Sequence, residues 1–266
     1  MNIPKLLFIF LILFTFTTAQ ATDFENLNAE EKGLSIAKEA KQRDEGFDNS
    51  EEILTMILKD RRGTERVRQM RILTLEQKDD GDWTLSIFDE PADVKGTAML
   101  TYSHGIEPDD QWLYLPALKR VKRISSKNRS GRFMGSEFAF EDFGSLELEK
   151  FRYKFLNKEA CDGEQCFVSE WIPAYEHSGY SKQIVWHDTN EYRIHKIDYY
   201  DRRNKLLKTL KLTKYKQYLD KYWRSMRMDM LNHQTEESTI LKFSDYRFKI
   251  GLTKRDFDKN ALKRAK

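Results

Sequence analysis

Short β-type runs occupy most of the chain and leave few folds open to it. They lie near residues 65–76, 83–88, 96–102, 111–115, 118–125, 151–158, 166–172, 181–187, 192–200, 206–215, 222–231 and 236–247. Turn-forming stretches separate them, among them residues 79–82, 188–190 and 201–204. Because no helical pattern intervenes, the runs predict consecutive antiparallel strands that curl into a sandwich or barrel.

Two helices are predicted ahead of these strands, over residues 28–42 and 49–62. The first is amphipathic, and in the second Asn49 and Glu52 have the spacing of a capping box. Residues 253–256 also resemble a capping box and predict a short C-terminal helix. We therefore predict a single domain over residues 22–266, with helices at about 28–62 and the sheet at about 65–247.

The first 21 residues have the three parts of a secretory signal peptide. Lys5 supplies a positive charge, residues 6–16 are apolar, and Ala19-Gln20-Ala21 fits the small-x-small pattern of a cleavage site. An apolar stretch of this length is only about half of a bilayer span. We expect residues 1–21 to be removed and the mature chain to be periplasmic and soluble. The alternative is an uncleaved N-terminal anchor.

Composition and motif content argue against several functional classes. The formal net charge is only +3 over 266 residues, which disfavours a nucleic-acid binder that relies on a broad basic surface. The 5 histidines are scattered without metal-ligand spacing. The sequence has no H-E-x-x-H, G-x-S-x-G or Walker motif. We therefore expect no enzyme activity, no metal and no cofactor.

The two cysteines predict one disulfide. Cys161 and Cys166 flank Asp162-Gly163, a dipeptide typical of tight hairpin turns because it tolerates positive φ. Cysteines on either side of such a turn face each other at a separation that a disulfide can bridge. An exported protein also meets an oxidising compartment. We expect a disulfide that closes one hairpin.

Several runs are apolar on both faces, so the sheet needs a covering layer on each side. Trp112 and Tyr114 share one face of the run 111–115, whose other face is also apolar. One face of the run 222–231 carries Tyr222, Met226, Met228 and Met230. A methionine row is flexible apolar surface, suited to ligands of variable shape. The alternative is that these methionines fill an ordinary core.

The segment 108–143 combines a basic cluster with apolar side chains. Phe133, Met134 and Phe138 lie in its glycine-flanked loop. The basic residues are Lys119, Arg120, Lys122, Arg123, Lys127, Arg129 and Arg132. This combination suits an anionic amphiphile, with Arg120 and Arg123 at its head group or at a partner. The alternative is a solvated edge strand whose charges prevent edge-to-edge pairing.

Two motifs in this segment resemble the outer-membrane lipoprotein-sorting protein family. They are W-x-Y-L-P-A-L-K-R-V-K-R-I from Trp112 and F-M-G-S-x-F-x-x-x-D from Phe133. Gly96-Thr97-Ala98 and Trp186-His187-Asp188 add to the similarity. The resemblance is to the LolA-like branch that is found with exporters of the resistance-nodulation-division (RND) or MMPL type, and it spans roughly residues 50–250.

The resemblance implies a mainly β fold: an incomplete, strongly curved antiparallel β-barrel covered by N-terminal helices. The β-type runs of the sequence suggest that this barrel has about 10–12 strands. An apolar cavity between sheet and helices would hold acyl chains. In the better-described carriers of this family a strand arginine holds the helical lid, and Arg68 and Arg71 lie in the first predicted strand.

We therefore expect a monomeric periplasmic carrier that binds acyl chains of a lipid or lipoprotein and contacts membranes transiently. It would shuttle this cargo between membranes together with an exporter of the RND or MMPL type. The alternative is a lipid sensor or accessory subunit of such an exporter, without transport. Acyl-chain contacts are expected from Trp112, Tyr114, Phe133, Met134, Phe138, Tyr222, Met226, Met228 and Met230.

Overall fold

The computed structural model describes residues 24–264, so the predicted signal peptide (residues 1–21) lies outside the described residues. Helix α1 spans Ala29–Asp44 and begins at Asn28. The Asn28 Oδ1 accepts the Glu31 N–H at 2.9 Å, and the Glu31 Oε2 accepts the Asn28 N–H at 3.0 Å. This capping box satisfies two N–H groups at the start of the helix. The first predicted helix is confirmed.

Strands account for most of the remaining chain, and they form one 13-stranded antiparallel sheet. They are β1 (Asn49–Lys59), β2 (Glu65–Leu75), β3 (Trp83–Glu90), β4 (Ala98–Tyr102), β5 (Asp110–Leu115), β6 (Arg120–Ile124), β7 (Phe151–Cys161), β8 (Glu164–Pro173), β9 (Tyr180–Asp188), β10 (Ile194–Asp201), β11 (Leu206–Tyr218), β12 (Tyr222–Asn232) and β13 (Ser238–Phe248). Strand β1 pairs with β13, and β6 and β7 are the two edges. The predicted fold class, a curved and incomplete antiparallel barrel with a helix before it, is confirmed.

Short helical turns complete the fold. One-turn 3₁₀ helices lie at Phe24–Asn26, Pro116–Leu118, Ser126–Asn128, Phe133–Gly135, Phe140–Phe143, Leu148–Lys150 and Lys254–Phe257, and helix α2 spans Ala261–Arg264. The predicted C-terminal capping box is present: the Thr253 N–H donates to Asp256 Oδ2 at 2.8 Å. Within residues 24–264, no helix combines the length and apolarity needed to cross a membrane.

The second predicted helix, residues 49–62, is wrong because Asn49–Lys59 forms strand β1. The segment also has a period of two, and it places Leu54 and Met56 on one buried face. Strand β1 lies between β2 and β13, so ladders on both sides outweigh the local helical preference. Asn49 does not cap a helix; its Oδ1 accepts the Ile250 N–H at 2.8 Å. The sheet therefore has one strand more than predicted.

The predicted disulfide between Cys161 and Cys166 is confirmed. It closes the hairpin between β7 and β8, with a Cα–Cα distance of 5.9 Å. Asp162 and Gly163 have φ values of 46° and 86°, as a tight hairpin turn requires. The bridge joins an edge strand to its neighbour.

Each face of the sheet is covered by a different part of the chain. The face that carries Leu54 and Met56, called the inner face below, packs against α1 and against the connection between β6 and β7. On the opposite, outer face, Phe257 and Leu262 of the C-terminal segment pack against β2 to β5. The Tyr102 hydroxyl donates to the Phe257 carbonyl at 2.5 Å and fastens this segment. This explains why the strands are apolar on both faces.

Residues 125–150, called the crossing segment below, run from edge strand β6 to edge strand β7. Its Phe133 and Phe143 side chains meet at 4.5 Å between ring centroids and pack into the inner-face core. Nearly unexposed ion pairs hold it in place: Arg129–Asp109 at 3.2 Å, Lys208–Asp142 at 2.7 Å, and Lys150–Asp109. The crossing segment is therefore a fixed part of the core.

Helix α1 touches the sheet through its backbone. A methyl group added to Gly33 would lie 2.7 Å from Lys154 N and 2.8 Å from Phe155 N. Glycine is needed here because no side chain fits at that distance. Besides Gly33, α1 buries only Ile36 and Ala37. The helix is thus a narrow cover.

Replacing Gly33 by alanine should push α1 away from β7. The added methyl meets backbone atoms, which cannot rotate aside, so we expect the free energy of unfolding to fall by about 1–3 kcal/mol. Thermal unfolding followed by circular dichroism should show a Tm lower by about 2–10 °C. Gly105→Ala is the control, because nothing lies within 4 Å of a methyl group there. Equal Tm values for the two variants would contradict the backbone contact.

Removing the disulfide should lower stability moderately. The loop between Cys161 and Cys166 is short, so the chain-entropy model gives a loss of about 2 kcal/mol for a Cys161→Ser, Cys166→Ser variant. A reducing agent should lower the Tm of the wild type and leave that of the double variant unchanged. A wild-type Tm that does not respond to complete reduction would show that the bridge does not stabilise the fold.

Candidate functional site

A cavity of about 710 Å³ lies between the C-terminal half of α1 and the inner face of the sheet. This volume is within the range of about 300–1,000 Å³ that is typical of small-molecule sites. The lining comes from α1 and the turn after it, from the connection between β2 and β3, from the crossing segment, and from β1, β10, β11, β12 and β13. The cavity thus forms where the two covers of the inner face meet.

The floor of the cavity is largely apolar. Leu212, Tyr215 and Met228 line it and pack against the inner-face core. In the β11–β12 register, Met228 lies opposite Leu212, and Ser225 lies opposite Tyr215. One strip across these two strands therefore faces the cavity and can contact a hydrocarbon chain.

The rim of the cavity is charged and fastens the end of α1. The ion pairs that hold this end of the helix keep some exposure to solvent, and such pairs contribute about 1 kcal/mol or less each. Three ion pairs join the C-terminal end of the helix to other described parts of the chain: Lys41–Glu147 at 2.7 Å, Arg43–Glu191 at 3.2 Å, and Asp44–Arg224.

Glu52 places a buried carboxyl group in the cavity wall. The residue is 8% exposed, and its Oε1 accepts the Ser50 hydroxyl at 2.9 Å. Its Oε2 is buried and has no hydrogen-bond partner among residues 24–264. Burial raises the pKa of Glu52 to about 7, against the hydrogen bond from Ser50 and the charge of Arg224. Near neutral pH the group is therefore divided between acid and carboxylate.

Trp223 places an unused donor in the same wall. Its Nε1 is buried and has no partner within the described part of the chain. The Arg193 guanidinium lies 4.7 Å from the Trp223 ring, and its Nε donates to Asp188 Oδ2 at 2.7 Å. Because Arg193 is held by a carboxylate, it fixes the indole in position.

Asp82, at the other side of the cavity, is a second carboxyl group of this kind. Burial raises its pKa to about 7, and the neighbouring charges of Glu76 and Glu147 act in the same direction. The Gln77 N–H donates to its Oδ1 at 3.1 Å and opposes this shift. Glu52 and Asp82 therefore place two carboxyl groups with raised pKa values in the cavity lining.

The three methionines of the predicted row have different surroundings in the structure. Met228 lines the cavity, whereas Met230 is fully buried in the inner-face core. Met226 lies beside Tyr218, whose hydroxyl donates to the Met226 Sδ at 3.6 Å. On β11, Lys214 has a φ of 57°, so the facing of side chains changes at this point. The alternation along β12 therefore does not hold over the whole run.

Phe133, Met134 and Phe138 lie together in the crossing segment. Phe133 is fully buried, Phe138 is buried, and Met134 packs at the edge of the same core. The Arg68 Nη1 donates to the Met134 carbonyl at 2.7 Å, and its guanidinium lies 5.6 Å from the Phe88 ring. Arg68 therefore fastens the crossing segment and not α1.

Three predicted aromatic contacts lie elsewhere. Trp112 and Tyr114 face outward, and Trp112 packs beneath the C-terminal segment with Phe257. Tyr222 stacks on Phe248, with ring centroids 5.8 Å apart. The structure therefore does not bring these residues together with Met228.

Arg120 and Arg123 lie on opposite faces of edge strand β6. Arg120 is in register with Leu115, and Arg123 with Trp112. Both are exposed, and the Arg123 guanidinium contacts the Asp110 carboxylate. Neither lines the cavity, so a contact with a head group in the cavity would not involve them.

The sequence analysis did not single out Glu52 or Trp223. Glu52 lies in the segment predicted to be helical, and the alternation of Ser50, Glu52 and Leu54 is the signal that would have identified it as an inward residue of a strand. Trp223 follows Tyr222 on β12. Its side chain lies toward the cavity because the alternation of side chains between the two faces is interrupted near Lys214.

One group of metal-ligand residues is present in the described chain. Ligand atoms of Glu164, Asp188 and His195 lie within 4.8 Å of one another. The Arg193 guanidinium donates to Asp188 at 2.7 Å and to Glu164 at 2.9 Å. These carboxylates therefore already have a cationic partner.

Comparison with known proteins places this architecture in a family. A family model of uncharacterized proteins matches residues 65–264, more than half of the chain. A domain from Vibrio parahaemolyticus assigned to outer membrane lipoprotein sorting is 56% identical to the chain. It covers 88% of this chain and 99% of its own length, with a TM-score of 0.87. None of the curated proteins compared matches the chain.

Two further crystal structures are more distant. A DUF1329 family protein from Desulfovibrio piger is 27% identical and covers 89% of this chain and 100% of its own, with a TM-score of 0.84. A LolA superfamily protein from Nitrosomonas europaea shares the fold at 20% identity and a TM-score of 0.70, covering 88% and 100% of the two chains. The chain therefore belongs to the outer-membrane lipoprotein-sorting protein family and has a LolA-like fold, as the motifs that begin at Trp112 and Phe133 predicted.

Proposed function

We propose that the protein is a periplasmic carrier that holds acyl chains of a lipid or lipoprotein in the cavity beneath α1 and moves them between membranes. The observation that carries this proposal is the cavity itself, an open space of about 710 Å³ with Leu212, Tyr215 and Met228 on its floor. A filled interior would leave no room for a hydrocarbon chain. Binding and release, without covalent chemistry, is the activity we assign to it.

Burial of a hydrocarbon chain supplies enough free energy for this role. A chain with about fourteen buried CH₂ groups gains about 11 kcal/mol. Association costs of about 4 kcal/mol or more leave about 7 kcal/mol, a Kd on the order of 10 μM. A carrier needs affinity of this moderate kind because it must also release its cargo.

In this proposal, movement of α1 widens the entrance to the cavity so that cargo can enter and leave. The helix buries little apolar surface, and its last turn is held by partly exposed ion pairs. The crossing segment, in contrast, is held by ion pairs with almost no exposure, such as Lys208–Asp142. We therefore assign the role of a lid to α1 and the role of a fixed wall to the crossing segment.

Edge strand β6 is the surface that we assign to transient contact with a membrane or an exporter of the RND or MMPL type. Arg120, Lys122 and Arg123 are exposed on it, and Leu118 in the preceding turn is 63% exposed. Basic side chains around an exposed apolar residue are typical of surfaces that meet anionic lipid. The protein acts as a monomer in this proposal.

The carrier role predicts bound lipid in protein isolated without detergent. Organic extracts of the purified protein, analysed by mass spectrometry, should contain lipid or lipoprotein acyl chains at close to one molecule per protein. Protein denatured before extraction and washed free of small molecules is the control. An empty protein that still isolates a membrane complex would favour the accessory or sensor role instead.

A charge on the cavity floor should abolish uptake of acyl chains. In Met228→Asp, a carboxylate replaces an apolar side chain that lines the cavity, so we expect binding of a fluorescent fatty-acyl probe to weaken at least tenfold. The Tm should change little because Met228 is not fully buried. Leu231→Asp is the matched control, since Leu231 is on the same strand and 45% exposed. Wild-type binding by Met228→Asp would remove this residue from the site.

A further inference from the structure

The cavity wall contains hydrogen-bonding groups that the fold leaves unused. The Glu52 Oε2 and the Trp223 Nε1 are both buried, both belong to residues that line the cavity, and neither has a partner in residues 24–264. A buried polar atom without a partner costs about 1–3 kcal/mol. If the two side chains turn toward the cavity, a ligand that supplies one donor and one acceptor satisfies both atoms.

Most of the positive charges around the cavity are compensated by carboxylates. Arg224 contacts Asp44, and its guanidinium also lies 5.5 Å from the Phe47 ring. Arg193 is bound to two carboxylates. Lys41 and Arg43 are bound to the rim residues Glu147 and Glu191. Four of the six basic residues in the lining are therefore held by acidic groups.

Acidic residues outnumber basic ones in the cavity lining. The acidic residues are Asp44, Glu45, Glu52, Glu76, Asp80, Asp82, Glu147 and Glu191, and the basic ones are Lys41, Arg43, Lys78, Arg193, Lys221 and Arg224. At a pH above the pKa of Glu52, an anionic head group that entered beside this residue would meet a like charge in a poorly hydrated place, where repulsion is strong. A neutral group would not meet this repulsion.

We propose that Glu52 and Trp223 select the polar part of the cargo: the cavity accepts acyl chains joined to an uncharged amide and rejects those that end in an anionic group. The amide N–H donates to Glu52, and the amide carbonyl accepts from the Trp223 indole. This inference rests on the proposed carrier function and adds a head-group preference to it. Glu52 and Trp223 are specificity-determining residues in this scheme.

A matched pair of soluble amphiphiles tests this preference. N-dodecanoylglycinamide and N-dodecanoylglycine have the same chain and the same internal amide, and they differ in a neutral or an anionic end. Isothermal titration calorimetry at pH 8 and below the critical micelle concentration of each compound should give wild-type protein a Kd at least tenfold lower for the glycinamide.

Two substitutions on β1 separate selectivity from general effects. Glu52→Gln keeps the shape and removes the charge, so the preference should fall below threefold, chiefly because N-dodecanoylglycine binds more tightly. Glu51→Gln makes the same chemical change at the neighbouring residue, which contacts Arg247 and does not line the cavity. It should keep the wild-type preference. Trp223→Phe should weaken binding of both compounds about three- to tenfold.

The outcomes distinguish the two proposals. If wild-type protein binds neither compound, the carrier function fails and this inference fails with it. If wild-type protein binds both compounds equally, or if Glu52→Gln keeps the tenfold preference, the selectivity is overturned while the carrier function stands. Thermal unfolding of each variant shows that a change in binding does not come from loss of the fold.

Discussion

The pairing of β1 with β13 is the constraint on which the rest of the structure depends. It joins the first strand to the last, so the free edges of the sheet, β6 and β7, lie in the middle of the chain. The chain must then pass from one edge to the other through residues 125–150, and its route over the inner face buries Phe133 in the core and packs Phe143 against it. This passage fills part of the inner face and leaves the remainder to α1. The cavity exists because two covers from different parts of the chain meet there without closing.

The two covers differ in how firmly they are held. The crossing segment contributes to ion pairs whose partners are almost fully buried, such as Lys208–Asp142, and loss of one partner from a pair of this kind costs about 3–5 kcal/mol. Helix α1 is held at Gly33 by close packing and at its end by ion pairs that keep some contact with water. Local opening draws on the least stable contacts first. The same sheet therefore has one firmly held cover and one less firmly held cover, an arrangement that suits the reversible binding we propose.

Much of the fold followed from patterns that local physics sets. The strand runs, the Asp162-Gly163 hairpin and the amphipathic first helix were predicted because turn chemistry and periodicity act over a few residues. Strand β1 was not, because its apolar residues satisfy both a helical period and a period of two, and the choice is made by β13, nearly two hundred residues away. The site was harder to predict for the same reason. Alternation placed Met228 correctly in the lining, but one left-handed residue at Lys214 removed Met226 from it.

The exposed basic cluster of residues 108–143 lies apart from the cavity, and this changes how the cluster is understood. In the sequence, basic and aromatic residues of 108–143 suggested one site with a cationic head-group contact. In the structure, Arg120 and Arg123 lie on an edge strand, whereas the cavity wall carries Glu52 and Asp82. In the functions proposed above, attraction to an anionic surface and selection of cargo are performed by different parts of the molecule. A carrier that approaches a membrane through basic side chains meets anionic lipids there. A cavity that disfavours anionic head groups would let the carrier dock on such a surface without taking up those lipids.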